Sequence, residues 1–376
     1  MDFADSSHER EFRLRLREWL RRHNPHLGAA SVTDEYWEAQ PAWHRALYDG
    51  GFFGSSWPEE YGGHGLPAVF DVIVDEELSE AGAPPRPSVG YLVEGILRHG
   101  SEESKRRFLP GIISGRDRWC QGFSEPDAGS DLASLRTRAV RQGDEYVITG
   151  RKIWTSYSDL AEWCFLLART DPAVPKHKGI SAFAVRMDQP GIEQRPLKMI
   201  NGISREFGEV VLDGARAPLT DMIGGAGEGW RIAMTIVSHE REPHELGYAG
   251  RYKKTVKELV RITRERDGAI DADGLSCLAW AIVETDMLGQ HVSRRLSDRL
   301  DGVEHGPEGS IDKLLMTETE QTVGRAALAV GGAAHDSKDS TWLNTYLYSR
   351  AQSVMGGTSQ IQRNLVASRI LGLPDS

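Results

Sequence analysis

The residues of this chain best equipped for chemistry fall into four short stretches. The first is Gly122-Phe123-Ser124-Glu125-Pro126-Asp127-Ala128-Gly129-Ser130-Asp131. Pro126 and Gly129 tighten such a segment into a turn, whose hydroxyls and backbone N–H groups can face an anionic or polar ligand. The same composition also makes ordinary surface turns. The second, Gly150-Arg151-Lys152-Ile153-Trp154-Thr155-Ser156, sets an indole beside two hydroxyls. It offers either a flat apolar wall and hydrogen bonds for a ring system such as a flavin, or a buried strand aromatic. In the third, Met355-Gly356-Gly357-Thr358-Ser359-Gln360-Ile361-Gln362-Arg363, a glycine pair precedes Thr and Ser. This predicts a helix N-terminus, either a plain cap or a site for an anion or dipole. The fourth, Ser238-His239-Glu240-Arg241-Glu242-Pro243, gathers charges ahead of a proline that tends to kink a helix. Such charges are either a reactive cluster or a solvated helix face.

The elements that must position these stretches change along the chain. Ser6 and Glu9, ahead of Phe12, Leu16, Trp19 and Leu20, predict a capped helix over residues 6–22. Helical spacing recurs to about residue 119, as in 69–82 and 104–113, between Gly- and Pro-rich loops at Trp57–Gly65 and Gly82–Pro87. From Cys120 to about residue 226 the runs are strand-like, at 145–149, 163–169, 179–187, 192–197 and 206–212. Gly143-Asp144 and Asp213-Gly214 read as turns. Long helices are predicted again at about 230–265, 273–300, 311–333 and 341–371. The expected class is α+β and multidomain: an N-terminal helical domain (1–119), a middle β-barrel domain (120–226) and a C-terminal four-helix bundle (227–376).

Bulk properties narrow the function. A formal net charge of -10 over 376 residues, with Lys and Arg spread evenly, gives nucleic acid no basic stripe to bind. Cys120, Cys164 and Cys277 form no CxxC pair, so neither a disulfide framework nor a metal site is expected, and a reducing cytoplasmic setting is. Acidic residues near the start argue against a targeting peptide, and no run approaches the roughly 20 apolar residues of a membrane span. The glycines of Gly224–Gly229 imitate a dinucleotide fingerprint, but no βαβ pattern surrounds them.

Taken in this order on this architecture, the stretches resemble the acyl-CoA dehydrogenase family over essentially the whole chain. The likeness includes Trp57-Pro58-Glu59-Glu60-Tyr61-Gly62-Gly63 and Gly227-Glu228-Gly229-Trp230. The resemblance implies bound FAD and α,β-dehydrogenation of an acyl thioester, on CoA or on a carrier protein. Electrons would pass on to an electron-transfer flavoprotein or similar acceptor. Gln121, Phe123, Ser124, Gly129 and Ser130 are implied cofactor contacts, Ser124 near the flavin pyrimidine edge and Ser130 near the phosphates. Trp154, Thr155 and Ser156 correspond to residues beside the flavin ring and its N5 atom, and Thr358 and Gln360 to contacts at the start of the last helix. A tetramer is implied, of identical chains or of two related ones.

The chain departs from the family at its base. Many members carry a catalytic glutamate where this chain has Gly356. A branch resembling isovaleryl-CoA and actinobacterial steroid-side-chain dehydrogenases supplies it from the first C-terminal-domain helix, just before an arginine. That makes Glu240 the candidate base, with Arg241 beside it. A base is needed because the α proton of a thioester is only weakly acidic. Glu242 and Glu245 are alternatives, although 240 and 242 lie about 200° apart on a helix, so at most one faces the flavin. Gly356 keeps the backbone N–H that serves the family as an oxyanion donor together with a cofactor hydroxyl. The family's Arg-x-x-Phe-Gly stretch is also missing, and residues 301–310 read as in heteromeric steroid-degrading members, which puts four equivalent FAD sites in question. Two other readings stay open on sequence: a flavin oxidase or monooxygenase on the same scaffold, and a weakly active subunit that supports FAD binding by a partner.

Overall fold

The computed structural model describes residues 5–27, 33–240, 246–265, 270–300, 303, 306–331 and 341–374. Helix α1 (Ser7–His23) opens on the expected reciprocal cap: the Ser6 hydroxyl accepts from Glu9 N, and the Glu9 carboxylate accepts from Ser6 N at 2.7 Å. Helices α2 (Asp34–Asp49), α3 (Val69–Ala81), α4 (Gly90–His99) and α5 (Glu102–Ser114) follow.

The middle of the chain folds into one sheet of eight strands among the described residues. They are β1 (Trp119–Gly122), β2 (Arg138–Gln142), β3 (Glu145–Ser156), β4 (Trp163–Arg169), β5 (Ile180–Arg186), β6 (Ile192–Leu197), β7 (Phe207–Pro218) and β8 (Met222–Ile223). The order is β6-β7-β3-β2-β4-β5-β8, with β1 parallel to β4. β4 and β5 are buried almost end to end, as continuous apolar strands must be. Two expectations need correction. Asp213-Gly214 is no turn but lies inside β7, where Gly214 (φ 77) is skipped in the pairing of Ile148 and Thr149 with Ala215 and Asp213. A left-handed glycine serves a bulge as well as it serves a hairpin. β1 and β2 also went unread, one being four residues long and the other burying only Ala139.

The chain returns to helix with α6 (Gly229–Glu240), α7 (Leu246–Glu265), α8 (Ala272–Leu300), α9 (Gly309–Gly331), α10 (Thr341–Gln352) and α11 (Ser359–Leu365), the last continued by a π-helical stretch, Val366–Ile370. The single helix expected over 341–371 is thus broken. Gly356 (φ 60) and Gly357 (φ 93) take left-handed conformations that no α-helix continues through.

Two compact units result. One comprises residues 1–36, 66–86 and 241–376, the other 37–65 and 87–240. In the second, Leu92, Ile96, Phe108, Ile112, Ile232 and Ile236 from the helices pack with Phe165, Leu167 and Ala182 of the sheet. Ile148, Leu166, Phe183, Val185, Val210 and Leu212 form a further core. The first unit has its own core around Leu259, Leu278, Leu288, Val323 and Val330 of α7, α8 and α9. No helix among the described residues is long and apolar enough to cross a membrane.

Candidate functional site

Strand β1 delivers the half-buried Gln121, and the chain then turns through the first motif. Phe123 is buried, Ser124 half-buried, and Gly129 and Ser130 are exposed. The turn closes on its own backbone, Glu125 N donating to Ala128 O and Ala128 N to Glu125 O, each at 3.0 Å. At its end the Asp131 carboxylate accepts from the Ser134 hydroxyl at 2.5 Å and from Lys176 Nζ at 2.9 Å. A Cβ added to Gly129 would meet nothing within 4 Å, so space is open there.

The strand β3 runs beside this loop, and Ile153 N donates to Ser124 O at 3.0 Å. An extra residue between Lys152 and Thr155 interrupts the pairing with β7. There Trp154 takes a left-handed backbone (φ 60) and leaves its side chain 59% exposed. A bulky residue in that region carries strain on the order of 1–3 kcal/mol, which persists only where the surroundings fix it. Thr155 beside it is fully buried, and its hydroxyl finds no hydrogen-bond partner among the described residues. Ser156 is half-buried. A strained, exposed indole, an unpartnered buried hydroxyl and a loop with open space at Gly129 are features that a flat, polar-edged ring with a phosphate tail would complete. These residues therefore fit FAD.

Helix α6 carries the candidate base. Its start is pressed onto β5: Gly227 N donates to the Ser181 hydroxyl at 2.9 Å, and a Cβ at Gly229 would lie 2.6 Å from the Ser181 carbonyl carbon. Its apolar face buries Ile232, Ala233 and Ile236, with Ile236 against Gly95 of α4. Its last turn is held by His239, whose Nδ1 donates to Thr235 O at 2.8 Å while Nε2 lies 3.7 Å from Glu94. Glu240 is the final residue of α6. Arg241, Glu242, Pro243 and Glu245 lie outside the described residues.

In the other unit, the third motif forms the turn between α10 and α11. Thr358 caps α11, its hydroxyl accepting from Ile361 N at 3.2 Å. The fully buried Gln362 reaches back, donating to Gly356 O at 2.9 Å and Gly357 O at 3.2 Å. Gln360 is exposed. The structure thus brings the Gln121–Ser130 loop and Trp154–Ser156 together in the sheet unit, whereas Gly356, Thr358 and Gln360 belong to the helical unit.

Sequence reasoning passed over one charged pair inside these motifs. Lys152 is fully buried, and its Nζ donates to Glu125 Oε1 at 2.8 Å and to Phe123 O at 3.0 Å. A signal existed: Lys152 sits at even spacing from Tyr146 and Ile148, on the strand face that turns inward.

The acyl-CoA dehydrogenase N-terminal, middle and C-terminal domain models match residues 6–116, 120–215 and 227–371. Acyl-CoA dehydrogenase IpdE1 of Mycobacterium tuberculosis is 36% identical, over 97% of this chain and 97% of its own length. Among solved structures, the steroid acyl-CoA dehydrogenase Tcur3481-Tcur3483 superposes with a TM-score of 0.87 at 30% identity, covering 100% of both chains. The ChsE4-ChsE5 complex from Mycobacterium tuberculosis gives a TM-score of 0.79 at 27% identity, again over 100% of each. With all three domain models in order and relatives alike from end to end, the chain belongs to the acyl-CoA dehydrogenase family, the FAD-dependent oxidoreductases that dehydrogenate acyl-CoA thioesters.

Proposed function

We propose that this enzyme dehydrogenates a CoA thioester with a bulky, ring-bearing acyl group, and that Glu240 removes the α proton. The observation that carries the base assignment is Gly356, which offers no side chain at the turn before α11, so a carboxylate must come from elsewhere. Glu240 ends a helix whose start is fixed by Ser181 and whose last turn is fixed by His239. The likeness to a steroid acyl-CoA dehydrogenase supports the ring-bearing acyl group.

In this reading Gln121, Phe123, Ser124, Gly129, Ser130, Trp154, Thr155 and Ser156 would hold FAD, and Thr358 and Gln360 are further cofactor contacts, as the family resemblance implies. Bound FAD supplies the acceptor for the hydride that leaves the β carbon. Glu240 takes the α proton, and Arg241 follows it in the chain as in the branch it resembles. Gly356 N–H polarises the thioester carbonyl, which stabilises the enolate-like charge that develops as the proton leaves. The domains divide at 1–119, 120–226 and 227–376, and the assembly is a tetramer of identical or of two related chains, the paired names of two relatives supporting a second, related chain. An electron-transfer flavoprotein or similar acceptor in the cytoplasm takes the electrons onward.

The test is Glu240→Gln, which keeps size and polarity but cannot accept the proton. Anaerobic bleaching of the flavin by a steroid-derived acyl-CoA should slow by about 10² to 10⁴ while FAD still binds. A rate within a few fold of the parent would move the assignment to Glu242, Glu245 or a partner chain.

A further inference from the structure

We propose that the buried Glu125–Lys152 pair is a positioning device for FAD, locking the loop of Ser124 and Ser130 to the strand of Trp154 and Thr155 before the cofactor arrives. The proposal rests on the reading of these two stretches as cofactor-binding. It goes beyond that reading by assigning two residues whose groups are spent inside the protein.

The bonds run between consecutive residues of each segment. Lys152 Nζ donates to Phe123 O at 3.0 Å, Ile153 N donates to Ser124 O at 3.0 Å, and Lys152 Nζ donates again to Glu125 Oε1 at 2.8 Å. Residues 123, 124 and 125 are thereby pinned in turn to 152 and 153. Glu125 extends the clasp into the approach to β2, accepting from Arg136 N at 2.7 Å and from Thr137 N at 2.9 Å. On the other side, Lys152 is the last residue of regular pairing before the irregularity that gives Trp154 its left-handed backbone. The Lys152 side chain therefore ties down the residues on either side of Ser124 from the position where the bulge that presents the indole begins.

Stability alone does not account for such a pair. Removing a carboxylate and an ammonium from water costs several kcal/mol each, and well-packed apolar replacements of both partners are often as stable or more so. What the ion pair adds is direction: four bonds to the Glu125 and Lys152 side chains, each to a fixed acceptor or donor, leave the loop one register on the strand. A binding surface ordered in advance spares the ligand the cost of ordering it.

Glu125→Gln, Lys152→Met and the double variant separate position from stability. After removal of bound flavin, thermal unfolding should show both single variants weakened and the double variant recovered towards the parent. Titration with FAD, read by flavin fluorescence, should show affinity reduced by about tenfold or more in all three, the worth of one well-placed hydrogen bond. The visible circular dichroism of the bound flavin should change as well. A double variant that regains both stability and parental FAD affinity makes the pair plain core packing and overturns the proposal, as do single variants with parental affinity. A parent that binds no FAD at all sinks the cofactor reading itself, and this proposal with it. Should the variants fail to fold, hydrogen exchange on the unmodified protein decides. The amides of Arg136, Thr137 and Ile153 should be protected equally with and without FAD, and protection that appears only on adding FAD overturns the idea.

Discussion

In the middle sheet Glu125 is buried beside an ammonium, and in the helical bundle Glu320 is buried beside a phenol. Their exposures are nearly the same, 8% and 6%. Burial acts on both in the same direction, raising the carboxyl. At Glu125 it is outweighed by the charge and hydrogen bond of Lys152, with help from hydrogen bonds of Thr137 and the Arg136 amide, so the carboxyl is held below its ordinary range. At Glu320 burial prevails and pushes the carboxyl up to about 7, and the Tyr252 hydrogen bond and the charges of Arg251, Arg350 and Lys313 offset only part of it. Depth below the surface and the partner together decide whether a buried acid is charged.

The same substitution at both positions should expose the contrast most strongly. Glu125→Gln leaves the fully buried Lys152 without a counter-charge, and breaking a buried pair from one side costs about 3 to 5 kcal/mol. Glu320→Gln keeps an acceptor for the Tyr252 hydroxyl and deletes only the ionisation that burial opposes, so it should stabilise the fold at pH 8. Urea unfolding of the two variants at pH 8 should give shifts of opposite sign. Shifts of the same sign would break the comparison.

The next largest effect is a pH dependence. With Glu320 raised from an ordinary 4.5 to about 7, the unfolded chain releases this proton first as pH rises, so stability is lost between those values and the loss is complete above pH 7. At about 1.4 kcal/mol per unit the full loss is about 3 kcal/mol. Glu125 runs the other way: its folded carboxyl is depressed, so its contribution is present above its unfolded value and disappears only on acidification below about pH 4.5. Urea midpoints at pH 5, 6, 7 and 8 should show the gap between Glu320→Gln and the parent widening over that range. A constant gap would mean that Glu320 does not titrate there.

What could be read from the sequence was local. Ser6 and Glu9 announce α1 because a capping box acts over three residues, and the apolar runs of β4 and β5 announce themselves because both faces are buried. The motif loops were legible by composition and order. β1 and β2 were not, since so short or so polar a strand exists only through its partners. Asp213-Gly214 has the composition of a turn, and only the neighbouring strand makes it a bulge. The Glu125–Lys152 clasp joins residues 27 apart, and Glu320 meets Tyr252 across 68, so no spacing rule could find either pair. Glu240 could be named as a candidate because a branch the chain resembles carries its base there, and the structure adds that α6 ends on it.

The smallest expected effect tests what the phenol does for Glu320. Tyr252 is buried in the bundle, and its hydroxyl donates to Glu320 Oε2 at 2.9 Å. Tyr252→Phe removes that bond and little else, since the ring and its packing stay. A hydrogen bond between neutral groups is worth about 0.5 to 1.5 kcal/mol, and one to a charged group about 1.5 to 3. Glu320 passes from mostly neutral to mostly charged around pH 7, so the cost of Tyr252→Phe should grow from about 1 kcal/mol at pH 5 to about 2 kcal/mol at pH 8. In the Glu320→Gln background the acceptor is neutral at every pH, and the cost should stay near the lower figure throughout. Unfolding free energies of the two single variants and the double variant at both pH values complete the cycle. If the coupling between Tyr252 and Glu320 does not change with pH, Glu320 holds one charge state across the range, and the contrast with Glu125 reduces to the choice of partner without any difference in titration.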